Sequence, residues 1–178
     1  MPQPQTAGCV IQSGSQSATE ALGEALSPLL QAGDVLVLSG DLGAGKTQLT
    51  KGIARGLGVA EPVTSPTFNI LLVHLGRLPL YHFDLYRLES AEQLYDVDYW
   101  GTLESDGVGV VEWGDRFPDA LPLDGIVVRI AITGDHAREL SLSALGSRGA
   151  ELLAAWAMGA DGMPGARVVS LPGPGAAS

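Results

Sequence analysis

The chain alternates between short unbroken apolar runs and segments whose apolar residues recur every three or four positions. Asp34-Val35-Leu36-Val37-Leu38-Ser39 and Gly107-Val108-Gly109-Val110-Val111 are runs of the first kind. Such runs read as strands covered on both faces, as at the centre of a parallel sheet. Leu22, Leu26, Leu29 and Leu30 recur at helical spacing between Ser15–Ser17, which offer N-caps, and Gly33; Leu49, Ile53 and Leu57 do the same ahead of Gly58. Each reads as a helix with one buried side, closed by a glycine. Pro28 interrupts the first, because it lacks a donor and clashes with the preceding turn. A kink or a restart with Ser27 as cap is expected there. Gly52 weakens the second helix and lets another element come close.

Other segments are shorter. Residues 8–12 read as a possible edge strand, and residues 68–75 and 78–84 as further strands, the last ending at Asp84. In the last of these, alternation puts Leu80, His82 and Asp84 on one face and Tyr81, Phe83 and Leu85 on the other. Residues 90–98 read as a helix capped by Ser90, with Leu94 and Val97 inward. Residues 125–133 and 139–145 read as a hairpin joined through Thr133-Gly134-Asp135-His136. Residues 150–158 suggest a last short helix. Strands alternating with helices predict an α/β fold in three layers, with a mainly parallel central sheet and an antiparallel hairpin near the C-terminus. One domain over residues 1–158 accounts for all these elements. Residues 159–178 are mostly Gly, Pro, Ala and Ser with little to bury, so disorder is expected.

Between the first buried strand and the second helix lies Gly40-Asp41-Leu42-Gly43-Ala44-Gly45-Lys46-Thr47. This is a glycine, four residues, then Gly-Lys-Thr, in the strand–loop–helix setting of a phosphate-binding loop. Glycines let successive N–H groups turn around a polyphosphate, and the helix N-terminus aims its dipole at the same anion. Residues Leu42 to Gln48 are therefore expected to hold a nucleotide, ATP or ADP. Lys46 would reach the β- and γ-phosphates and the Thr47 hydroxyl would bind Mg²⁺.

Ligands of open α/β sheets bind beyond the carboxyl ends of strands, and two acids fall there. Asp84 could order Mg²⁺ or position an attacking water; Glu112 is a second candidate for the metal. His82 reads either as a phosphate contact or as a satisfied core histidine. Arg87 reads as a partner for phosphate or for a carboxylate. Trp113 either stacks on a base or packs. The hydroxyl-rich Thr64-Ser65-Pro66-Thr67-Phe68 is either a loop that senses the γ-phosphate or an ordinary lead into the next strand. Thr19 reads as a helix cap, a surface residue or a ligand contact, and Arg138 as a surface residue or a nucleotide contact.

Composition narrows the partners. The net charge is −10, and only two of the ten basic residues are lysines. A chain without a basic face is a poor autonomous binder of nucleic acid, so any role on RNA would run through a partner protein. Cys9 stands alone, which leaves no disulfide framework and no cysteine metal cluster. No apolar run reaches a membrane span and Met1 to Gln5 lack the order of a secretion signal, so a cytoplasmic protein is expected.

The phosphate loop, Thr64 to Phe68, His82-Phe83-Asp84-Leu85-Tyr86-Arg87-Leu88 and Glu112-Trp113, in that order, resemble the motifs of the TsaE (YjeE) family. These are P-loop ATPases of bacterial threonylcarbamoyladenosine (t6A) modification of tRNA. The resemblance spans roughly residues 19–156. It implies a P-loop fold and ATP hydrolysis in support of the partner pair TsaB and TsaD, with tRNA met only through that complex. It implies Thr19, Trp113 and Arg138 beside the nucleotide, Thr47 and Glu112 on Mg²⁺, Asp84 as an acid needed for activity, and a switch-like loop at Thr64 to Phe68. Gln48 departs from the family, which usually has a second threonine there. A small-molecule kinase on the same fold, or a nucleotide-gated scaffold without turnover, are the rival readings.

Overall fold

The two continuous apolar runs become neighbouring strands at the middle of an eight-stranded sheet. The computed structural model describes residues 6–66 and 68–170. Its strands are β1 (Thr6–Ser13), β2 (Val35–Ser39), β3 (Leu71–His74), β4 (Leu80–Asp84), β5 (Val108–Glu112), β6 (Gly125–Ile132), β7 (Arg138–Leu145) and β8 (Ala166–Ser170). Its helices are α1 (Gln16–Leu26), α2 (Lys46–Gly56), α3 (Gln93–Asp96), α4 (Tyr99–Leu103) and α5 (Gly146–Ala160). The strand order is β3-β4-β5-β2-β6-β7-β1-β8. The inner four, β4-β5-β2-β6, run parallel. Both flanks are antiparallel, a larger antiparallel part than the single hairpin expected.

Every residue of β2 and β5 is buried, because both faces of the sheet are covered. On one side Leu36 and Leu38 pack with Leu22 and Leu26 of α1, Leu49 and Ile53 of α2 and Trp156 of α5. On the other, Val35 and Val37 pack with Leu94, Tyr99 and Leu103 from α3 and α4. These are the three layers the alternation predicted.

Four local expectations change. Pro28 does restart the chain, as a single 3₁₀ turn over Ser27–Leu29. The Ser27 hydroxyl does not cap it but is shared between Gly23 O, one turn back, and Ile53 O of α2. Of residues 90–98 only α3 is helical, entered from Glu92 with no side-chain cap from Ser90, and Asp98, at a left-handed φ of 48°, precedes the separate helix α4. β1 is not an edge strand, since it pairs with β7 on one side and β8 on the other. β8 itself corrects the expectation of disorder from residue 159 onward. Ala166 and Val168 pack against the main core, and α5 runs on to Ala160. The alternation of a five-residue strand was hidden by the glycine- and proline-rich composition around it. Residues 171–178 of that expected tail, and Met1 to Gln5, lie outside the described residues.

α1 and α2 cross at glycines, as Gly52 foretold. A Cβ at Gly52 would stand 1.9 Å from Glu20 O, and one at Gly23 would stand 2.4 Å from Leu49 O. Gly52→Ala must therefore push the helices apart, which outweighs the ~1 kcal/mol of helix propensity alanine brings. A net loss of about 2 kcal/mol and a Tm lower by roughly 4–8 °C is expected by calorimetry or circular dichroism. An unchanged Tm would contradict the close crossing.

Candidate functional site

β2 ends at Ser39 and the chain turns at once through Gly40, Gly43 and Gly45, at φ 146°, 79° and 114°. These backbone conformations are ones that side-chain-bearing residues rarely adopt. The Ala44 N–H is used inside the loop, donating to Asp41 O (3.0 Å). α2 then begins at Lys46 with no side chain capping it. The first N–H groups of this 11-residue helix lack carbonyl partners within the helix and suit an anion.

Lys46 is almost fully buried. Its ammonium donates to Gly40 O (2.7 Å) and Asp41 O (3.0 Å) and lies 4.2 Å from the centroid of the Trp113 ring. Burial pulls its pKa down, opposed first by Glu112 and then by Asp84. Trp113 reaches this position through a left-handed backbone (φ 62°), uncommon for a bulky residue. Tyr86 sits against its ring at 5.0 Å between centroids.

The parallel register of β4 and β5 sets Asp84 beside Glu112 at the strand ends. Burial pushes the Asp84 carboxyl above the ordinary aspartate range, partly offset by the Tyr86 N–H that donates to Oδ1 (3.0 Å). The Thr47 hydroxyl donates to Glu112 Oε1 at 3.4 Å, across the gap between α2 and β5. A hydroxyl and a carboxylate so placed are hard oxygen donors, the kind Mg²⁺ takes while keeping waters and phosphate oxygens. Among the described residues no group of three or more His, Cys, Asp or Glu could hold a metal. The donor set thus fits an ion that arrives with phosphates, not a closed protein cage.

These groups share one cleft of about 460 Å³. Thr19, Leu42, Gly43, Gly45, Lys46, Thr47, Gln48, Asp84, Glu112, Trp113 and Arg138 all line it. Ala44 does not and is buried. Thr19 is neither cap nor surface residue. Ser15 caps α1, while Thr19 is buried and its hydroxyl bonds Ser13 Oγ (2.8 Å) and Ser15 O (3.3 Å). Arg138 is not a free surface arginine. It ties the loop to the β6–β7 turn, donating to Ala44 O (2.8 Å) and Gly43 O (3.3 Å) and to Gly134 O and Ala137 O. Arg87 lines the cleft, but its guanidinium faces the Phe68 ring at 5.1 Å. His82 meets Glu112, not open cleft. Ser65, Pro66 and Phe68 of the hydroxyl-rich loop also line it, and Thr67 lies outside the described residues.

Sequence reasoning missed Tyr86, Asn69 and His136, which line the cleft, and Ser13, which holds Thr19. Tyr86 carried a signal, two residues beyond Asp84 in the same motif. Nothing local marked the other three.

A three-layer α/β sheet with a glycine loop between β2 and α2, and acids closing the adjacent parallel strands, defines a P-loop-type α/β protein. Comparison with known proteins narrows the class. Residues 13–140 match the family described as "Threonylcarbamoyl adenosine biosynthesis protein TsaE". The chain belongs to the TsaE family. A relative named tRNA threonylcarbamoyladenosine biosynthesis protein TsaE, from Treponema pallidum (strain Nichols), is 42% identical over 135 residues, 76% of this chain and 98% of that protein. A relative of the same name from Streptomyces coelicolor is 47% identical over 135 residues, covering 71% and 90%. The crystal structure of YdiB from Bacillus subtilis superposes with a TM-score of 0.71 at 33% identity, covering 84% of this chain and 94% of that one. α5 and β8 lie beyond the matched family range.

Phosphates entering the loop would compete with Trp113 for the Lys46 ammonium. Titration with ADP and Mg²⁺ is therefore expected to change tryptophan emission, and Trp113→Phe to abolish the change, since Trp100 and Trp156 do not line the cleft. A flat signal from the unaltered protein under calorimetrically confirmed binding would contradict this placement.

Proposed function

We propose that this chain binds and hydrolyses ATP with Mg²⁺ in the cytoplasm, as the ATPase of tRNA threonylcarbamoyladenosine biosynthesis, acting with TsaB and TsaD. The observation that carries the reading is the half-buried Asp84 beside the buried Glu112, in one cleft with Lys46 and Thr47. Membership of the family of threonylcarbamoyl adenosine biosynthesis protein TsaE supports the pathway.

The residues divide the work. The N–H groups at the start of α2 and the Lys46 ammonium bind the phosphates. Thr47 and Glu112 would hold Mg²⁺, which, when bound, neutralises charge on the phosphate oxygens. Asp84 orients the attacking water and takes its proton, a role favoured by a carboxyl raised toward the working pH. Arg138 is committed to four carbonyls and Arg87 to an aromatic face, so neither is poised as a charge-stabilising finger. Slow hydrolysis alone and faster hydrolysis with the partners follow. The net charge of −10 fits a protein that reaches tRNA through its complex.

Asp84→Asn is expected to keep ATP affinity and to lower release of free phosphate from γ-labelled ATP about 10²–10⁴-fold. Lys46→Ala is expected to lose binding and turnover together. Unchanged turnover in the Asp84 variant would remove that residue from the chemistry. Label passing to a small acceptor would replace the ATPase by a kinase.

A further inference from the structure

His82 occupies a place where an apolar side chain would serve packing equally well. It lies within β4 with no exposed surface, between Tyr81 and Phe83, and beside Val110 in the parallel ladder. Burying an imidazole costs free energy unless its nitrogens are used. Nε2 is used: it lies 2.9 Å from Glu112 Oε1, the same oxygen that accepts from Thr47. A carboxylate supplies no proton to this bond, so the proton sits on Nε2. Nδ1 has no hydrogen-bond partner among the described residues. The neighbouring imidazole of His74 stands 6.2 Å away between centroids, too far for a bonded relay. Among the described residues the one polar contact of the His82 side chain is therefore aimed at one carboxylate oxygen.

Glu112 needs that contact. It closes β5 with its side chain 3% exposed, so water contributes little to fixing its rotamer. The only side-chain donors its carboxylate has among the described residues are Thr47, from the loop side at 3.4 Å, and His82, from the sheet side at 2.9 Å. The shorter bond comes from β4, a strand hydrogen-bonded on both sides, to β3 and to β5.

We propose that His82 is a positioning residue that holds the Glu112 carboxylate toward Thr47 and so sets the affinity of the nucleotide site for its divalent cation. This rests on the reading of Thr47 and Glu112 as the Mg²⁺ holders. Outer groups that hydrogen-bond a ligating side chain typically govern metal affinity by about 10–100-fold.

The test separates metal from nucleotide. Mn²⁺ binding to the ADP-saturated full chain is followed by electron paramagnetic resonance, and ADP binding in EDTA by calorimetry, for the unaltered protein, His82→Phe and His82→Gln. His82→Phe fills the space and removes the donor. It is expected to weaken Mn²⁺ about 10–100-fold while leaving metal-free ADP affinity unchanged. His82→Gln restores an N–H and is expected to recover most of the loss. Mn²⁺ affinity unchanged in His82→Phe, an equal loss of metal-free ADP affinity, or no recovery in His82→Gln would each overturn the proposal. Should His82→Phe fail to fold, nitrogen-15 spectra of the unaltered protein decide. A hydrogen-bonded proton on His82 Nε2 supports the proposal, and a ring protonated only on Nδ1 overturns it. If the unaltered protein binds neither ADP nor Mn²⁺·ADP, the ATPase reading itself fails. Normal binding with an indifferent His82→Phe sinks only the positioning role.

Discussion

The site depends on the parallel register of three strands. Leu38 of β2 stands beside Glu112 of β5, and Glu112 beside Asp84 of β4. The loop after β2 and the two acids therefore emerge at one level on the same edge of the sheet. Slipping β4 or β5 by one residue would turn every side chain to the opposite face, taking the acid from the cleft and the apolar residues from their cores. Because Leu36, Leu38, Val110 and Leu80 pack on one side and Val37, Val111 and Phe83 on the other, the two apolar clusters hold the register that the chemistry uses.

That rigidity lets the chain keep charged groups where water is scarce. Lys46, Glu112 and His82 are all buried, and each is costly unless paired. Lys46 is held by two loop carbonyls and an aromatic face, and Glu112 by a hydroxyl and an imidazole. The groups that would meet phosphate and cation are thus already fixed by other bonds. Preorganisation of this kind lessens the rearrangement needed during reaction. The left-handed backbone at Trp113 belongs to the same arrangement, since it delivers the ring against Lys46 at a local conformational cost.

The sequence made the site's centre legible because phosphate binding has local grammar. The glycine loop, the buried strand before it and the amphipathic helix after it are contiguous, and Asp84 and Glu112 close segments whose apolar patterns mark them as strands. What stayed hidden depends on distant partners. Arg138 reads as any arginine after a turn until its reach to Ala44 O, 94 positions earlier, is seen. His82 was ambiguous because its meaning lies in Glu112, one strand away. β8 was overlooked because two inward residues in a glycine-rich stretch give too little alternation, while its pairing with β1 spans nearly the whole chain. The early end of α3 and the start of α4 at Tyr99 are not legible because Asp98 takes a left-handed conformation that its residue type alone does not demand.

In the proposed function, a site built on this register spends ATP to keep tRNA modification turning over. The most direct measurement is threonylcarbamoyladenosine formed on tRNA by TsaB and TsaD reconstituted with this chain, compared between ATP and a non-hydrolysable analogue. Product is expected to rise beyond one per complex only with this chain and ATP together. Equal multiple-turnover product with the analogue would contradict an ATPase and leave a nucleotide-gated scaffold.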